Sequence, residues 1–180
     1  MPGDRGPAPR HLSGWVRELG RADRALDLGA GDGRLGAELD AGEVVLADVS
    51  EVALARARAR VPGALRVHVE PDEPLPLPDS DFDLVLCADV LEHVRDVQLF
   101  LSEARRVLRP GGRLGVVTPA HGRLTGLGIL VRGFERGFDP LSPHLRFFTA
   151  RSLRRVLDEL GFEVESVRRV RGDLLALARR

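Results

Sequence analysis

Three glycines at alternate positions, Gly29, Gly31 and Gly33, are the part of the sequence best suited to hold a ligand. They follow an apolar run that ends at Leu28 and is typical of a buried parallel strand. Glycine allows positive φ and lets a ligand approach where a Cβ would clash. We expect a helix over 33–40 whose N-terminal N–H groups face the same gap. The pattern therefore predicts a small ligand with a carboxylate or phosphate-like edge.

Two acidic side chains follow other apolar runs of the chain. Asp48 comes directly after the run 43–47, nineteen residues beyond Gly29, and Asp89 follows the run 84–88. If these runs are parallel strands, their carboxyl ends meet at the edge of the sheet where such folds bind ligands. A carboxylate at the position of Asp48 can accept two hydrogen bonds from a ribose diol, so we expect a ligand with a nucleoside part.

A dinucleotide is one alternative ligand for the glycine turn. Its fingerprint G-x-G-x-x-G fits Gly29 and Gly31, but the third position is Arg34 and the glycine falls at Gly33 instead. This departure disfavours NAD or FAD as the ligand. A nucleotide-dependent oxidoreductase is nevertheless kept as an alternative function. The glycines alone are also compatible with a tight strand-to-helix turn that binds nothing.

Histidine is the side chain most often used to accept a proton near neutral pH, and five are present. His121 follows the fifth predicted strand and His144 precedes the last helix, so these two are our candidates for a catalytic base. His144 could instead only hydrogen-bond to the backbone. His93 lies just past the fourth strand, where it could contact a cofactor, cap the next helix or act as a base. His11 and His68 are expected to be structural or exposed.

The composition is balanced in charge, with 27 Lys and Arg against 27 Asp and Glu, and the formal net charge is +0. No global field therefore attracts nucleic acid or an anionic membrane. The single cysteine, Cys87, excludes an internal disulfide and a cysteine-cluster metal site, and we expect no metal. The alternating Ala/Arg run 53–60 is interpreted as a solvated face rather than a nucleic-acid surface. Glu92 is expected to cap a helix or to pair with an arginine.

Location and domain organisation follow from other features of the composition. No stretch of about 18 apolar residues is present, so no transmembrane helix is expected. Residues 1–10 are rich in Pro, Gly and Arg and lack the apolar core of a signal peptide. We expect a flexible lead-in at 1–10, one domain at 11–180 and a cytoplasmic location. The sequence does not determine the oligomeric state.

Helical and strand periodicities alternate along the chain. Helices are predicted at 11–19, 33–40, 51–60, 97–108 and 150–160, and strands at 24–28, 43–47, 64–69, 84–88, 113–118, 162–170 and 174–178. Ser50 and Thr149 are suited to cap the helices that follow them. The alternation predicts an α/β fold with a doubly wound, mostly parallel seven-stranded sheet, helices on both faces and a C-terminal antiparallel hairpin.

Several motifs in a fixed order carry a resemblance to a known family. The glycine turn has the form D-x-G-x-G-x-G from Asp27 to Gly33. It is followed by LPLPDSDFDLVLCADVLEHV at 75–94, EARRVLRPGGRL at 103–114 and HLRFFT at 144–149. Together, over about 25–167, these segments resemble the class I S-adenosylmethionine-dependent methyltransferases of the small-molecule type. The fold implied is the Rossmann-like methyltransferase fold.

The resemblance also implies a role for each matching residue. The glycine turn would hold the methionine part of the cofactor, Asp48 would bind the ribose hydroxyls and Asp72, or alternatively Glu70, would bind the adenine amino group. The full set of cofactor-binding residues implied is Asp27 (near the ammonium), Gly29, Ala30, Gly31, Gly33, Asp48, Val49 (against adenine), Asp72, Ala88, Asp89 and His93.

The activity implied is methyl transfer from S-adenosylmethionine to a small-molecule acceptor, with S-adenosylhomocysteine as product. Such an in-line displacement mainly requires alignment and exclusion of water, and an oxygen or nitrogen nucleophile also needs a base. The apolar, glycine-broken segment 124–138 is either a lid over an apolar acceptor or a helix on the sheet edge. A protein acceptor is a further possibility. A non-catalytic S-adenosylmethionine-binding regulatory or scaffold protein is the alternative from a different class, and nucleic acid is not an expected partner.

Overall fold

The computed structural model describes residues 6–121 and 145–180 of the chain. The predictions for His144 and for the segment 124–138 lie outside these residues. The strands are β1 (Ala22–Leu28), β2 (Ala41–Asp48), β3 (Leu65–His68), β4 (Phe82–Ala88), β5 (Leu108–Pro119), β6 (Glu163–Val170) and β7 (Asp173–Arg179). The helices are α1 (Arg10–Glu18), α2 (Glu51–Arg60), α3 (Val97–Val107) and α4 (Ala150–Glu159).

The seven strands form one sheet in the order β3-β2-β1-β4-β5-β7-β6. The first five strands in this order are parallel, and β7 runs antiparallel between β5 and β6. The β6–β7 hairpin turns at Arg171 and Gly172, which both have positive φ, as a two-residue turn that follows the strand twist requires. The predicted doubly wound sheet with a C-terminal hairpin is confirmed.

Helices cover both faces of the sheet because side chains along each central strand alternate between two apolar layers. On β1, Leu26 and Leu28 pack in the layer of α3 and α4. Ala25, one residue away, packs in the layer of α1. Asp27 shares the strand face of Ala25, so its side chain points to the α1 side.

The connection between β1 and β2 differs from the sequence prediction. The prediction of a helix over 33–40 is wrong, because the structure has only one short 3₁₀ turn there, Gly36–Glu38. Gly33 has φ +76°, which is outside the helical region, and a Cβ there would lie 3.1 Å from the Cβ of Ala57 on α2. The chain therefore turns against α2 at Gly33, and too few residues remain before β2 for an α-helix. The helix N-terminus expected to face the ligand is not formed.

The other predicted elements are present with small shifts at their ends. Helix α2 has the predicted bounds, and the Ser50 hydroxyl accepts a hydrogen bond from the Ala53 N–H at 3.2 Å. Thr149 and Ser152 form a capping box at the start of α4. Strand β5 begins earlier than predicted, at Leu108, directly after α3. Within the described residues, no helix has the length and apolarity needed to cross a bilayer.

Helix α1 packs lengthwise along β5 because β5 has a glycine at the contact. A Cβ on Gly115 would lie 2.9 Å from Leu19 Cδ1 and 3.3 Å from Trp15 Cη2. Near its C-terminal end, the Leu19 carbonyl accepts a hydrogen bond from Arg113, close to the start of β5. The first turn of α1 therefore lies toward the carboxyl end of β5.

We expect Gly115→Ala to lower the free energy of unfolding by about 1–3 kcal/mol, because the added methyl overpacks the contact with α1. The matched control is Gly14→Ala on α1, where a Cβ meets nothing within 4 Å. That change should instead raise the stability by about 0.5–1 kcal/mol, because glycine is unfavourable inside a helix. Urea unfolding of the two variants measures both values, and equal stability would contradict the packing of α1 on β5.

Candidate functional site

Two cavities lie where the carboxyl ends of β1, β2 and β4 meet. The first has a volume of about 410 Å³ and the second about 770 Å³. Gly29 and Asp89 line both of them, so the cavities adjoin at the ends of β1 and β4. Volumes in this range are typical of small-molecule sites.

The structure brings most of the predicted cofactor residues to these cavities. The first cavity is lined by Gly29, Asp48, Val49, Asp72, Asp89 and His93. The second is lined by Asp27, Gly29, Ala30, Gly31, Ala88 and Asp89. Gly33 lies against α2 instead and lines neither of these two cavities. The packing of Gly33 against α2 therefore explains why glycine is needed at this position, and the predicted contact of Gly33 with a cofactor stays a prediction.

The carboxylate of Asp48 joins the end of β2 to the glycine turn. Its Oδ2 accepts a hydrogen bond from the Gly31 N–H at 2.7 Å, and its Oδ1 accepts one from the Ser50 N–H at 2.8 Å. Each carboxylate oxygen has a second lone pair, so Asp48 can also accept hydrogen bonds from a ligand in the first cavity.

Two of the glycines in the turn meet different surroundings. A Cβ on Gly29 would lie 2.2 Å from Val90 Cγ2, so glycine is required there by the chain itself. A Cβ on Gly31 would meet nothing within 4 Å, although its φ is +54°. The backbone of Gly31 is therefore open to a ligand in the second cavity, which fits the prediction of close approach at this residue.

Asp27 is buried beneath the glycine turn and its charge is only partly compensated. Burial, together with the charge of Asp48, raises the pKa of Asp27 to about 7, and a hydrogen bond from the Gly36 N–H opposes this rise. Its Oδ2 has no hydrogen-bond partner among the described residues. A buried carboxylate that lines the second cavity is suited to a cationic ligand group such as an ammonium.

Asp89 lies at the point that the two cavities share and has φ +54°, a conformation that residues other than glycine rarely adopt. Its N–H donates to the Val117 carbonyl at 3.0 Å. Burial and the charges of Glu92 and Asp173 raise the pKa of Asp89, against the opposing effect of His93 and Arg34. The end of β4 is thus held in a strained conformation beside the cavities.

Glu92, three residues beyond Asp89, has a contact that the sequence does not reveal. It is buried and accepts a hydrogen bond from the Thr118 hydroxyl at 3.0 Å, and among the described residues it neither caps a helix nor pairs with an arginine, the two roles that we expected. Its backbone carbonyl accepts hydrogen bonds from the N–H groups of Leu145 and Arg146. No local signal could have revealed this pair, because its residues are 26 positions apart and meet only when β4 and β5 are neighbours. Glu92 links the ends of β4 and β5 to the segment before α4.

His121, one of the two predicted bases, lies just beyond β5. Its Nδ1 is 3.2 Å from the Pro119 carbonyl oxygen, and its ring contacts Phe147 edge to face at 4.8 Å. A carbonyl only accepts hydrogen bonds, so Nδ1 carries the proton of the neutral ring and Nε2 has the free lone pair. His121 can therefore accept a proton at Nε2.

Two acidic side chains compete for the predicted contact with an adenine amino group. Asp72 and Glu70 both line the first cavity. The Asp72 carboxylate is already close to the start of α3, at 3.4 Å from the Asp96 nitrogen and 3.6 Å from Arg95 Nε. Glu70 is 3.7 Å from His68 Nδ1. Either contact stays a prediction. In the described part of the chain, no group of three His, Cys, Asp or Glu could hold a metal ion.

Comparison with known proteins adds independent evidence. The profile of a family described as a methyltransferase domain matches residues 26–116, which include the glycine turn and most of β5. A relative from Mycolicibacterium smegmatis, described as a probable S-adenosylmethionine-dependent methyltransferase, is 41% identical over 145 residues, which cover 78% of this chain and 52% of that protein. The chain spans about half the length of the mycobacterial relatives that it matches.

Two further matches cover more of the partner protein. A ubiquinone/menaquinone biosynthesis C-methyltransferase from Shewanella frigidimarina is 30% identical over 182 residues, covering 87% of this chain and 72% of that protein. A solved S-adenosylmethionine-dependent methyltransferase from Mesorhizobium loti has a TM-score of 0.70 and 26% identity, covering 94% of this chain and 96% of that chain.

The buried carboxyl of Asp27 makes the stability of the free protein depend on pH. Its pKa is about 7 in the folded protein against a model-compound value of 3.8, so the folded state binds the proton more tightly than the unfolded state. The contribution of Asp27 to the free energy of unfolding is therefore fully present below pH about 4 and is lost as the pH rises to about 7. We expect Asp27→Asn to gain more stability relative to the native sequence at pH 8 than at pH 5. Urea unfolding at both pH values measures this, and an equal effect at both would disprove the assignment.

Proposed function

Since the chain belongs to the class I S-adenosylmethionine-dependent methyltransferases, we propose that it transfers the methyl group of S-adenosylmethionine to a small-molecule acceptor. The buried carboxylate of Asp27, which lines the second cavity together with the open Gly31, is the observation that carries the proposal. It supplies the negative charge that the ammonium of the cofactor requires. Bound S-adenosylmethionine supplies a methyl group on a sulfonium, whose displacement leaves S-adenosylhomocysteine.

The residues of the first cavity fit the adenosine part of the cofactor. Asp48 would accept hydrogen bonds from the ribose hydroxyls while it continues to hold Gly31. Val49, which is largely exposed in the free protein, would be covered by the adenine ring. Asp72 or Glu70 would bind the adenine amino group, and His93 would close the side of the cavity next to Asp89.

The second cavity fits the methionine part. Ala30 and Gly31 would line the methionine chain, with Asp27 at its ammonium. Ala88 and Asp89, at the end of β4, would form the wall beside the sulfur and the methyl group. The main contribution of these residues is alignment of the reacting atoms, because an in-line displacement depends on geometry.

The acceptor is proposed to be a small molecule with an apolar part. Phe147, whose ring contacts His121, keeps 40% of its surface exposed, and Leu145, two residues earlier, keeps 54%. These two side chains give an apolar surface on the segment before α4. The formal net charge of +0 does not favour nucleic acid. The Shewanella relative is a C-methyltransferase of quinone biosynthesis, which supports a small acceptor. The roles of His144 as a candidate base and of the segment 124–138 as a lid over the acceptor are part of this proposal.

A cytoplasmic location also stays part of the proposal. Cys87 is the one cysteine of the chain and is buried as a free thiol, whose pKa is raised by burial and by the nearby Asp27. A protein with this cysteine does not depend on an oxidising compartment for its fold. The single domain at 11–180 and the flexible lead-in at 1–10 are likewise predictions.

We expect Asp48→Ala to weaken S-adenosylhomocysteine binding by about 1–3 kcal/mol, because hydrogen bonds to a charged group are lost. The matched control is Asp83→Ala at the opposite end of the sheet. Asp83 also accepts two backbone hydrogen bonds, from the N–H groups of Asp23 and Arg24. Calorimetric titration should show weaker binding only for the Asp48 variant, provided that both variants are folded. Equal affinity in the two variants would remove the ribose role of Asp48.

Turnover tests whether the bound cofactor reacts. With a panel of small acceptors that includes quinone-like rings, the native protein should form S-adenosylhomocysteine. His121→Ala should lower kcat at least about tenfold, as expected for a group that accepts a hydrogen bond from the acceptor, and should leave S-adenosylhomocysteine affinity unchanged. Binding of the cofactor without product from any acceptor would favour the regulatory alternative over the enzyme.

A further inference from the structure

Two side-chain pairs hold α1 to the C-terminal hairpin, one at each end of the helix. At the first turn, His11 Nε2 is 2.8 Å from Asp173 Oδ2, and at the last turn Glu18 Oε2 is 2.7 Å from Arg168 Nη2. The first pair is well shielded from solvent, with 18% of the His11 side chain and 24% of the Asp173 side chain exposed. The second pair is open to solvent, with 62% of the Glu18 side chain and 52% of the Arg168 side chain exposed. Only the first pair is shielded enough to do more than connect two surface elements.

The His11–Asp173 pair lies at the same end of the sheet as the two cavities. Asp173 begins β7 and is the register partner of Pro119, the last residue of β5. Two residues earlier on β5, the Val117 carbonyl accepts the hydrogen bond from Asp89, which lines both cavities. The opposite end of α1 is fixed near Arg113, close to the start of β5.

The side chains involved also share one face of the sheet. Alternation along β7 puts Asp173 on the face of Leu175, which packs in the layer of α1. Asp27 points to this face too. The charge of Asp173 contributes to the raised pKa of Asp89, so the two carboxylates interact across the end of the sheet. His11 is thus on the side of the cofactor site where the methionine part and its methyl group are proposed to lie.

We propose that His11, held by Asp173, is a catalytic residue that takes the proton of the acceptor during methyl transfer. The inference rests on the proposed function and deepens it, because it assigns the proton acceptor to the N-terminal helix. This pair has no signal in the sequence, since His11 and Asp173 are 162 positions apart and meet only in the folded chain.

The protonation states follow from the partner. A carboxylate only accepts hydrogen bonds, so Nε2 of His11 carries the proton of the neutral ring and Nδ1 has the lone pair. As the acceptor's electron pair forms a bond to the methyl carbon, the S–CH₃ bond breaks and its electrons stay on sulfur. The proton lost by the acceptor passes to Nδ1, and the nearby Asp173 carboxylate stabilises the resulting imidazolium.

His121 has a different and complementary arrangement. Its partner is the neutral Pro119 carbonyl, which orients the ring but adds no negative charge to stabilise an imidazolium. The two histidines lie on either side of Pro119, the last residue of β5. The Pro119 carbonyl accepts a hydrogen bond from His121, and Pro119 is the register partner of Asp173, which holds His11. We therefore assign proton acceptance to His11 and positioning of the acceptor to His121.

The first test needs no knowledge of the acceptor. S-adenosylmethionine and S-adenosylhomocysteine differ by a methyl group and one positive charge at sulfur. In protein with ¹⁵N-labelled histidine, the ring ¹⁵N signals of His11 should shift between the two complexes, because the positive charge of the sulfonium acts on the nearby imidazole. His68, beside the adenosine cavity, should give the same ¹⁵N signals in both complexes.

The second test uses turnover with an acceptor found for the native protein. His11→Gln and Asp173→Asn should lower kcat about 100-fold or more, the range of a general base, without changing KM or S-adenosylhomocysteine affinity. Glu18→Gln is the matched control, because it removes the other pair that holds the same helix to the hairpin. It should keep full kcat.

The outcomes separate the inference from the proposed function. If neither cofactor form binds, the proposed function fails and the inference fails with it. If both bind but the His11 signals are the same in the two complexes, only the inference is overturned. It is also overturned if Glu18→Gln lowers kcat as much as His11→Gln, since the His11–Asp173 pair would then only hold α1 in place.

Discussion

The carboxylate of Asp48 is the interaction on which the site depends. It accepts hydrogen bonds from Gly31 in the glycine turn and from Ser50 at the start of α2. One side chain therefore fixes the turn after β1 relative to the end of β2, although the turn itself has no long helix behind it. Both cavities have a wall in this turn, so the half-buried Asp48 carboxylate, together with the backbone hydrogen bonds from Gly29 and Ala30 to the Ala47 carbonyl, helps to set their shape.

The short connection between β1 and β2 has an electrostatic consequence. Since the chain forms only a 3₁₀ turn there, Asp27 receives one hydrogen bond from Gly36 and keeps its other oxygen unpartnered among the described residues. A buried carboxylate in this state is unfavourable in the free protein, and its pKa is raised accordingly. The same buried negative charge makes the site complementary to a cation. Asp27 therefore lowers the stability of the free protein and favours the binding of a cationic ligand.

The C-terminal hairpin and the N-terminal helix meet at the end of the sheet where the cavities lie. Strand β7 enters between β5 and β6 and thereby brings Asp173 beside the end of β5. Helix α1 lies along β5 because Gly115 leaves room for it, and its first turn then reaches Asp173. In the proposed function, the acceptor side of the site is therefore built from residues that are distant in sequence.

The elements whose signals are local could be predicted from the amino-acid sequence. The caps at Ser50 and Thr149, the alternating strands and the glycine turn predicted the doubly wound sheet, and the motif order predicted the family. The sequence could not predict the loss of the helix over 33–40, because the packing of Gly33 against Ala57 overrides the local pattern. Nor could it reveal the pairs Glu92–Thr118 and His11–Asp173, which depend on strand order and register. Local patterns follow from backbone propensity and periodicity, whereas contacts between distant residues form only when the sheet has brought the strand ends together.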